Sequence, residues 1–272
     1  MLEERNGAAY GAELPRPLGA PRLVTAIRYV GHSTVLIELD GVRLLTDPLL
    51  RRRVLHLHRR SLIDLESLRN LDAVLISHAH RDHLDLPSLR RLDRKVTAVV
   101  PRGLAQPVER LGFERLVEVD EGDSVSIGPV EVRATHAVHD ERRRIGRLRG
   151  AALGYAIGGS HRIYFAGDTS LFPEMDGLVP DLDLALIPIW GWGPTLGSGE
   201  HLDPASAAEA IRMLRPRTVV PIHWGTYRPL HHGVLREPDF LTEPAKAFVR
   251  EMAKTAPEVD VRVLKPGERL EF

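Results

Sequence analysis

The segment His78-Ala79-His80-Arg81-Asp82-His83 carries three imidazoles and one carboxylate. It follows the apolar run Asp72-Ala73-Val74-Leu75-Ile76 and a single serine, Ser77. Neutral imidazole and carboxylate are the donors that zinc, manganese and iron accept. The cluster therefore reads as a metal site. In an extended strand end His78 and His80 point the same way, and a following turn swings Asp82 and His83 toward a neighbouring point. One short segment can then serve two metals. With 13 histidines in 272 residues an isolated pair would mean little, but four donor residues in this arrangement mean more. The chain has no cysteine, so any ion must be held by nitrogen and oxygen.

One cluster does not complete two metal sites. The missing donors should stand at the ends of rigid elements, which hold ligand geometry. Three positions fit. Asp168 follows Ile163-Tyr164-Phe165-Ala166-Gly167, and His223 follows Val219-Val220-Pro221-Ile222. Either His136 or His139 follows Val130–Thr135.

The elements that must position these residues read as strands first, then strands and helices mixed, with the pattern repeating. Val24–Val30, Thr34–Leu39 and Val42–Thr46 form an expected meander with turns at Gly31-His32 and Asp40-Gly41. Strands are also expected at Thr97–Val100, Leu116–Val119, Ser124–Ile127 and Val130–Ala134. In the second half they are expected at Leu153–Ile157, Arg162–Ala166, Leu184–Pro188, Thr218–Ile222 and Val259–Leu264. Helices are expected at Leu62–Leu71, Pro87–Leu92, Gly103–Leu111, Pro204–Leu214 and Glu243–Lys254. The signal at Pro204–Leu214 is the fullest: Asp203 can cap it, Pro204 suits the first position, and Ala207, Ala208, Ile211 and Leu214 share a stripe. Two halves of this kind imply an α/β protein with two sheets face to face and helices outside.

The length permits a large core, expected here as one domain over residues 1–272 with residues 1–23 as an amino-terminal arm. Zero formal net charge indicates no general nucleic-acid affinity. Met1–Pro21 lacks a signal-like apolar core, and no apolar run reaches spanning length. A cytoplasmic protein is expected.

These motifs resemble a known superfamily. His78-Ala79-His80-Arg81-Asp82-His83 is similar to the H-x-H-x-D-H signature of metallo-β-lactamase-fold hydrolases. Gly167-Asp168-Thr169 and Pro221-Ile222-His223-Trp224-Gly225-Thr226 resemble the later metal-ligand motifs of that superfamily. Gly31-His32-Ser33-Thr34, Leu45-Thr46-Asp47-Pro48 and Glu200-His201-Leu202-Asp203-Pro204 narrow the likeness to one branch, the N-acyl-phosphatidylethanolamine phospholipase D-like and ascorbate-phosphate lactonase-like hydrolases. The resemblance runs from about Thr25 to about Phe248. It implies a four-layered αβ/βα sandwich of two mixed sheets flanked by helices. It also implies that His78, His80 and His139 hold one divalent ion, and that Asp82, His83 and His223 hold a second. Asp168 would bridge the two. The family pattern Pro-Ala-x-His reads His136-Ala137-Val138-His139 here, which places the ligand at His139 and His136 at the proline position.

The expected chemistry is hydrolysis by a hydroxide bridging two divalent ions, zinc first, with manganese or iron as alternatives. Asp82 and Asp168 would orient it. His201, beside the metals in this branch, would meet a leaving group or oxyanion. Asp47 is a candidate partner for the second nitrogen of a ligand histidine. Trp190, Trp192 and Trp224 would wall the pocket. The runs Arg51-Arg52-Arg53 with Arg59-Arg60, and Arg142-Arg143-Arg144 with Arg147 and Arg149, favour an anionic small molecule or an anionic membrane surface. A phosphodiester is the first substrate expectation. A lactone or carboxylic ester is the second, and a non-catalytic metal-binding sensor is the competing reading.

Overall fold

A computed structural model of the chain describes residues 24–139, 150–191, 201–229 and 239–272. The expected arm, residues 1–23, lies outside them. The first half contains β1 (Ala26–Gly31), β2 (Thr34–Leu39), β3 (Val42–Thr46), β4 (Arg53–Val54), β5 (Leu57–Arg59) and β6 (Ala73–Leu75). It continues with α1 (Leu86–Leu89), β7 (Thr97–Pro101), α2 (Ala105–Glu109) and β8 (Arg115–Val119). The second half runs β9 (Ser124–Ile127), β10 (Val130–His136), β11 (Leu153–Gly158), β12 (Arg162–Phe165), β13 (Leu184–Pro188), α3 (Pro204–Leu214) and β14 (Thr218–Ile222). It ends with β15 (Tyr227–Pro229), α4 (Glu243–Thr255), β16 (Asp260–Val261) and β17 (Arg269–Glu271).

Two sheets dominate. One has the order β17-β1-β2-β3-β6-β7-β8, the other β16-β14-β13-β12-β11-β10-β9. Each is antiparallel on one side and parallel on the other, with the change between β3 and β6 in the first and between β12 and β13 in the second. Ile27, Tyr29, Ile37 and Leu75 of the first sheet meet Val132, Tyr155, Phe165 and Leu186 of the second in a core shared between the sheets. Ala207, Ala208 and Ile211 of α3, with Phe248 of α4, pack on the far face of the second sheet. Leu89 and Val108, from α1 and α2, cover the far face of the first. The layering is the αβ/βα sandwich that the resemblance implies, and it exists because both faces of each sheet carry apolar side chains needing cover.

The well-signalled helix forms over the expected residues. Asp203 accepts from the Ser206 N–H while Ser206 Oγ accepts from the Asp203 N–H, and Arg215 ends the helix in a left-handed conformation at φ 52°. The expected helix at Leu62–Leu71 does not form; only a single 3-10 turn, Glu66–Leu68, is present. Leu68 and Leu71 are buried and Ile63 packs beside them, but Leu62 is 81% and Leu65 38% exposed, so no continuous helical stripe of this series is covered. Locally, the Asp64 carboxylate accepts from the Glu66 and Ser67 N–H groups and competes with helix continuation. The expected strand Val259–Leu264 shrinks to β16. The chain closes instead with β17, which leaves the second sheet and pairs with β1 of the first. A third, small sheet, β15-β5-β4, was not expected from sequence. Among the described residues no helix is long and apolar enough to cross a membrane.

Candidate metal centre

The donors collect at one edge of the sandwich, beyond the carboxyl ends of β3, β6, β10, β12 and β14. In mixed sheets this is where side chains can converge without interrupting a ladder. The loop after β6 is tied on both sides: the Ile76 N–H donates to Val99 O and the Leu153 N–H donates to Ser77 O. The His83 and Leu84 N–H groups then both donate to His80 O, which turns the chain sharply. His78 and His83 are buried by that turn.

Two groups of donors result. In one, His80 Nδ1 lies 2.9 Å from His78 Nε2 and 3.0 Å from His139 Nε2. In the other, Asp168 Oδ2 lies 3.2 Å from His83 Nε2 and 3.4 Å from His223 Nε2, and Asp82 Oδ2 lies 3.7 and 3.8 Å from the same two nitrogens. Asp168 Oδ2 also reaches to 4.0 Å from His78 Nε2 and 3.4 Å from His201 Nδ1, so it faces both groups. A tetrahedral ion with donors at about 2.0–2.1 Å requires donor–donor edges of roughly 3.4 Å. The observed edges bracket that value. His83 Nε2 and Asp168 Oδ1 are buried without a hydrogen-bond partner. Such orphaned atoms are costly unless a further ligand satisfies them. The donor set therefore fits divalent cations.

The support behind the donors is specific. Asp47, at the end of β3, accepts from the Ser77 N–H at 2.7 Å, from Ser77 Oγ at 2.6 Å and from His83 Nδ1–H at 2.7 Å. This aims His83 Nε2 at the two carboxylates. His223 donates Nδ1–H to Trp190 O at 2.7 Å, which aims its Nε2 the same way. Gly167 places Asp168. Its φ is +61°, and a Cβ there would lie 2.7 Å from Ser77 Cβ and 2.9 Å from Leu153 O. Gly167→Ala is expected to lower stability by about 1–3 kcal/mol and to reduce metal uptake, because the strain and the clash both push Asp168 away. Thermal unfolding and metal content measured together on that variant check this.

Electrostatics divides the donors. Burial lowers the His78 pKa well below the usual imidazole value, helped by His83, and lowers that of His80 to about 4, helped by His139. Burial would lower His223 as well, but Asp168 and Asp82 together outweigh it and raise the group to about 9. His83 is likewise raised well above its ordinary value against burial, by Asp168, Asp47 and Asp82. Burial opposes ionisation of Asp82 and Asp168, yet His83 and His223 hold both carboxyls well below the usual range. In the second group imidazoles and carboxylates thus favour each other's charged forms, and a cation binding there would compete with protons for the same nitrogens.

His139 faces the site, whereas His136 does not. His136 ends β10 opposite Leu153, its side chain is 41% exposed, and its Nδ1 lies 2.8 Å from Glu121. His201 sits just before the α3 cap, with its ring 4.7 Å from that of His139. Trp190 stacks on Phe240, and Trp224 donates Nε1–H to Pro221 O beside His223. Trp192 and the run Arg142, Arg143, Arg144, Arg147 and Arg149 lie outside the described residues. In the first arginine run three members are engaged within the fold. Arg51 forks onto Asp85, Arg59 is buried with its guanidinium on Val30 O and Leu49 O, and Arg60 donates to Gly225 O. Three of its members hold the small sheet and neighbouring loops together. One residue of the site carried no sequence expectation of a role, His32. The signal available was the Gly31-His32 turn, where a histidine takes a left-handed conformation.

Residues 42–224 match the beta-lactamase superfamily domain. A UPF0173 metal-dependent hydrolase of Rubrobacter xylanophilus is 30% identical, over 90% of this chain and 96% of its own. An N-acyl-phosphatidylethanolamine-hydrolyzing phospholipase D of Caenorhabditis elegans is 30% identical over 73% of this chain and 63% of its own. The solved structure of Igni18, a metallo hydrolase from Ignicoccus hospitalis, superposes with a TM-score of 0.67 at 25% identity, over 92% of this chain and 98% of that one. With its sandwich, its strand-end histidines and this match across the centre of the sequence, the chain belongs to the metallo-β-lactamase superfamily of metal-dependent hydrolases.

Proposed function

We propose that the chain holds two divalent ions, zinc in the first instance, and hydrolyses a phosphodiester of a small molecule. The observation that carries the two-ion reading is Asp168 Oδ2, within 3.2–4.0 Å of His83, His223 and His78. His78, His80 and His139 would hold one ion, and Asp82, His83 and His223 the other, with Asp168 shared. Such ions supply an activated water and polarise a phosphoryl oxygen. The residues themselves do the positioning. Asp168 balances positive charge between the two donor groups, and Asp82 closes the outer side of the second group. His201 faces Asp168 from the side of α3. Its pKa falls to about 4, chiefly through burial, so its imidazole is neutral at neutral pH. It is fit to exchange a hydrogen bond with a reacting group. The phosphodiester preference rests on the named activity of the nematode relative and on the resemblance of Glu200-His201-Leu202-Asp203-Pro204 to a segment of the phospholipase D-like branch.

The test is metal analysis of the purified chain followed by turnover on bis(p-nitrophenyl) phosphate, a lactone series and p-nitrophenyl acetate. The expected result is about two ions per chain and highest kcat/KM on the phosphodiester, lost on chelation and restored by zinc. A lactone or carboxylic ester as the best substrate would replace the phosphodiester reading. No metal-dependent turnover on any class would favour the sensor.

A further inference from the structure

His32 lies in the turn between β1 and β2, buried, at φ +58°. Its backbone is held from both directions by the segment that carries His223. The His32 N–H donates to Thr226 Oγ1 at 2.7 Å, and the His223 N–H donates to His32 O at 2.9 Å. Gly31 lets this happen, because a Cβ there would meet Arg59 Nη1 and Thr226 Cγ2, both at 2.8 Å. The imidazole lies over His223 with ring centroids 3.9 Å apart. Its Nε2 reaches Asp82 Oδ2 at 2.9 Å.

Asp82 is the donor most in need of help. It is 24% exposed, stands on a turn rather than a strand, and is farther from His83 and His223 than Asp168 is. An ionised carboxylate only accepts, so a ring nitrogen at 2.9 Å from it carries the hydrogen. If Nε2 keeps this hydrogen when an ion binds, it gives no lone pair to the cation, and that is what separates a support from the ligands His83 and His223. Among the described residues His32 also completes a set of four donor residues with Asp82, His83 and His223, so the distinction between ligand and support is worth making.

We propose that His32 is a positioning residue: it donates Nε2–H to Asp82 Oδ2 and so fixes the outer carboxylate of the second donor group, without itself binding the ion. This rests on the two-ion reading above. Through the Thr226 and His223 backbone contacts, the same turn couples the position of Asp82 to that of His223. Both donors of the outer half of the group are then referred to one rigid point between β1 and β2.

The experiment is a competitive-chelator titration of the full chain with zinc, repeated with cobalt for its visible spectrum. His32→Asn keeps a residue type that tolerates the left-handed turn but is too short to reach Asp82. His32→Gln restores an amide N–H near the position of Nε2. His32→Asn is expected to weaken the second equivalent about 10–100-fold and to leave the first within about twofold. His32→Gln should recover most of that loss, with a cobalt spectrum like that of the parent. In the His32→Asn background, Asp82→Asn should cost much less than it does alone. If the parent takes up two equivalents and His32→Asn binds both as the parent does, the role assigned to His32 is wrong. Equal weakening of both equivalents would mark a general folding defect and also overturn it. Failure of His32→Gln to recover binding, with an altered cobalt band in both variants, would make His32 a ligand instead. A parent that binds one equivalent overturns the two-ion reading, and the His32 role with it.

Discussion

Asp168→Asn, supplied with excess zinc until its metal content equals that of the parent, is expected to turn over at least about 100-fold more slowly. The size of the effect follows from where the carboxylate stands. It is buried, faces His83, His223, His78 and His201 within 3.2–4.0 Å, and is held ionised by the surrounding imidazoles against the cost of burial. An amide of the same shape keeps one donor oxygen and removes the negative charge. Two cations would then repel each other across a site of low dielectric with nothing between them to offset it. Metal content and kcat measured on the same preparation decide the matter. A fully loaded Asp168→Asn protein working near the parental rate would remove the shared-carboxylate mechanism. His201→Ala provides the contrast. It should keep its metal and lose turnover only in proportion to how much a reacting group relies on a hydrogen bond to that imidazole.

His139→Ala is expected to lose one metal equivalent and nearly all activity, whereas His136→Ala should retain both to within about twofold. His139 Nε2 is 3.0 Å from His80 Nδ1, and removing it opens one side of the first donor group. His136 instead pairs with Glu121 near the surface and lies against Phe172. Exposed pairs of this kind contribute little. The physical basis for the difference is the end of β10 at His136, after which the chain leaves the sheet. The Val138 N–H donates to Thr169 Oγ1 and the Ser170 N–H donates to Val138 O, which draws His139 toward Asp168. Inductively coupled plasma analysis with parallel rate measurements would show the opposite pattern if the assignment were reversed.

Much of the site could be read locally. His78, His80, Asp82, His83, Asp168 and His223 each stand just after an apolar strand, and a strand is written in a few consecutive residues. The same holds for β13, β14 and α3, whose bounds follow from apolar runs and from the Asp203-Pro204 start. Buried strands and capped helices depend on neighbours in sequence, so the linear chain suffices to find them.

Other features depend on contacts that no local pattern encodes. The apolar series Leu62–Leu71 could have packed as a helix, but tertiary structure provides no face to cover Leu62. The arginines of the 51–60 run resemble an anion site in sequence. Only the fold shows that Arg51, Arg59 and Arg60 are spent on Asp85 and on backbone carbonyls. β17 is three residues long and polar at both ends, and it is a strand because β1 has an open edge there. His32 meets Asp82 across 50 residues of chain, and Thr226 and His223 across more than 190. The kinds of donor were therefore determined by sequence. Which of them share an ion, and what holds each in place, was decided by tertiary structure, because those distances are set by the packing of two sheets and by the turns at one edge.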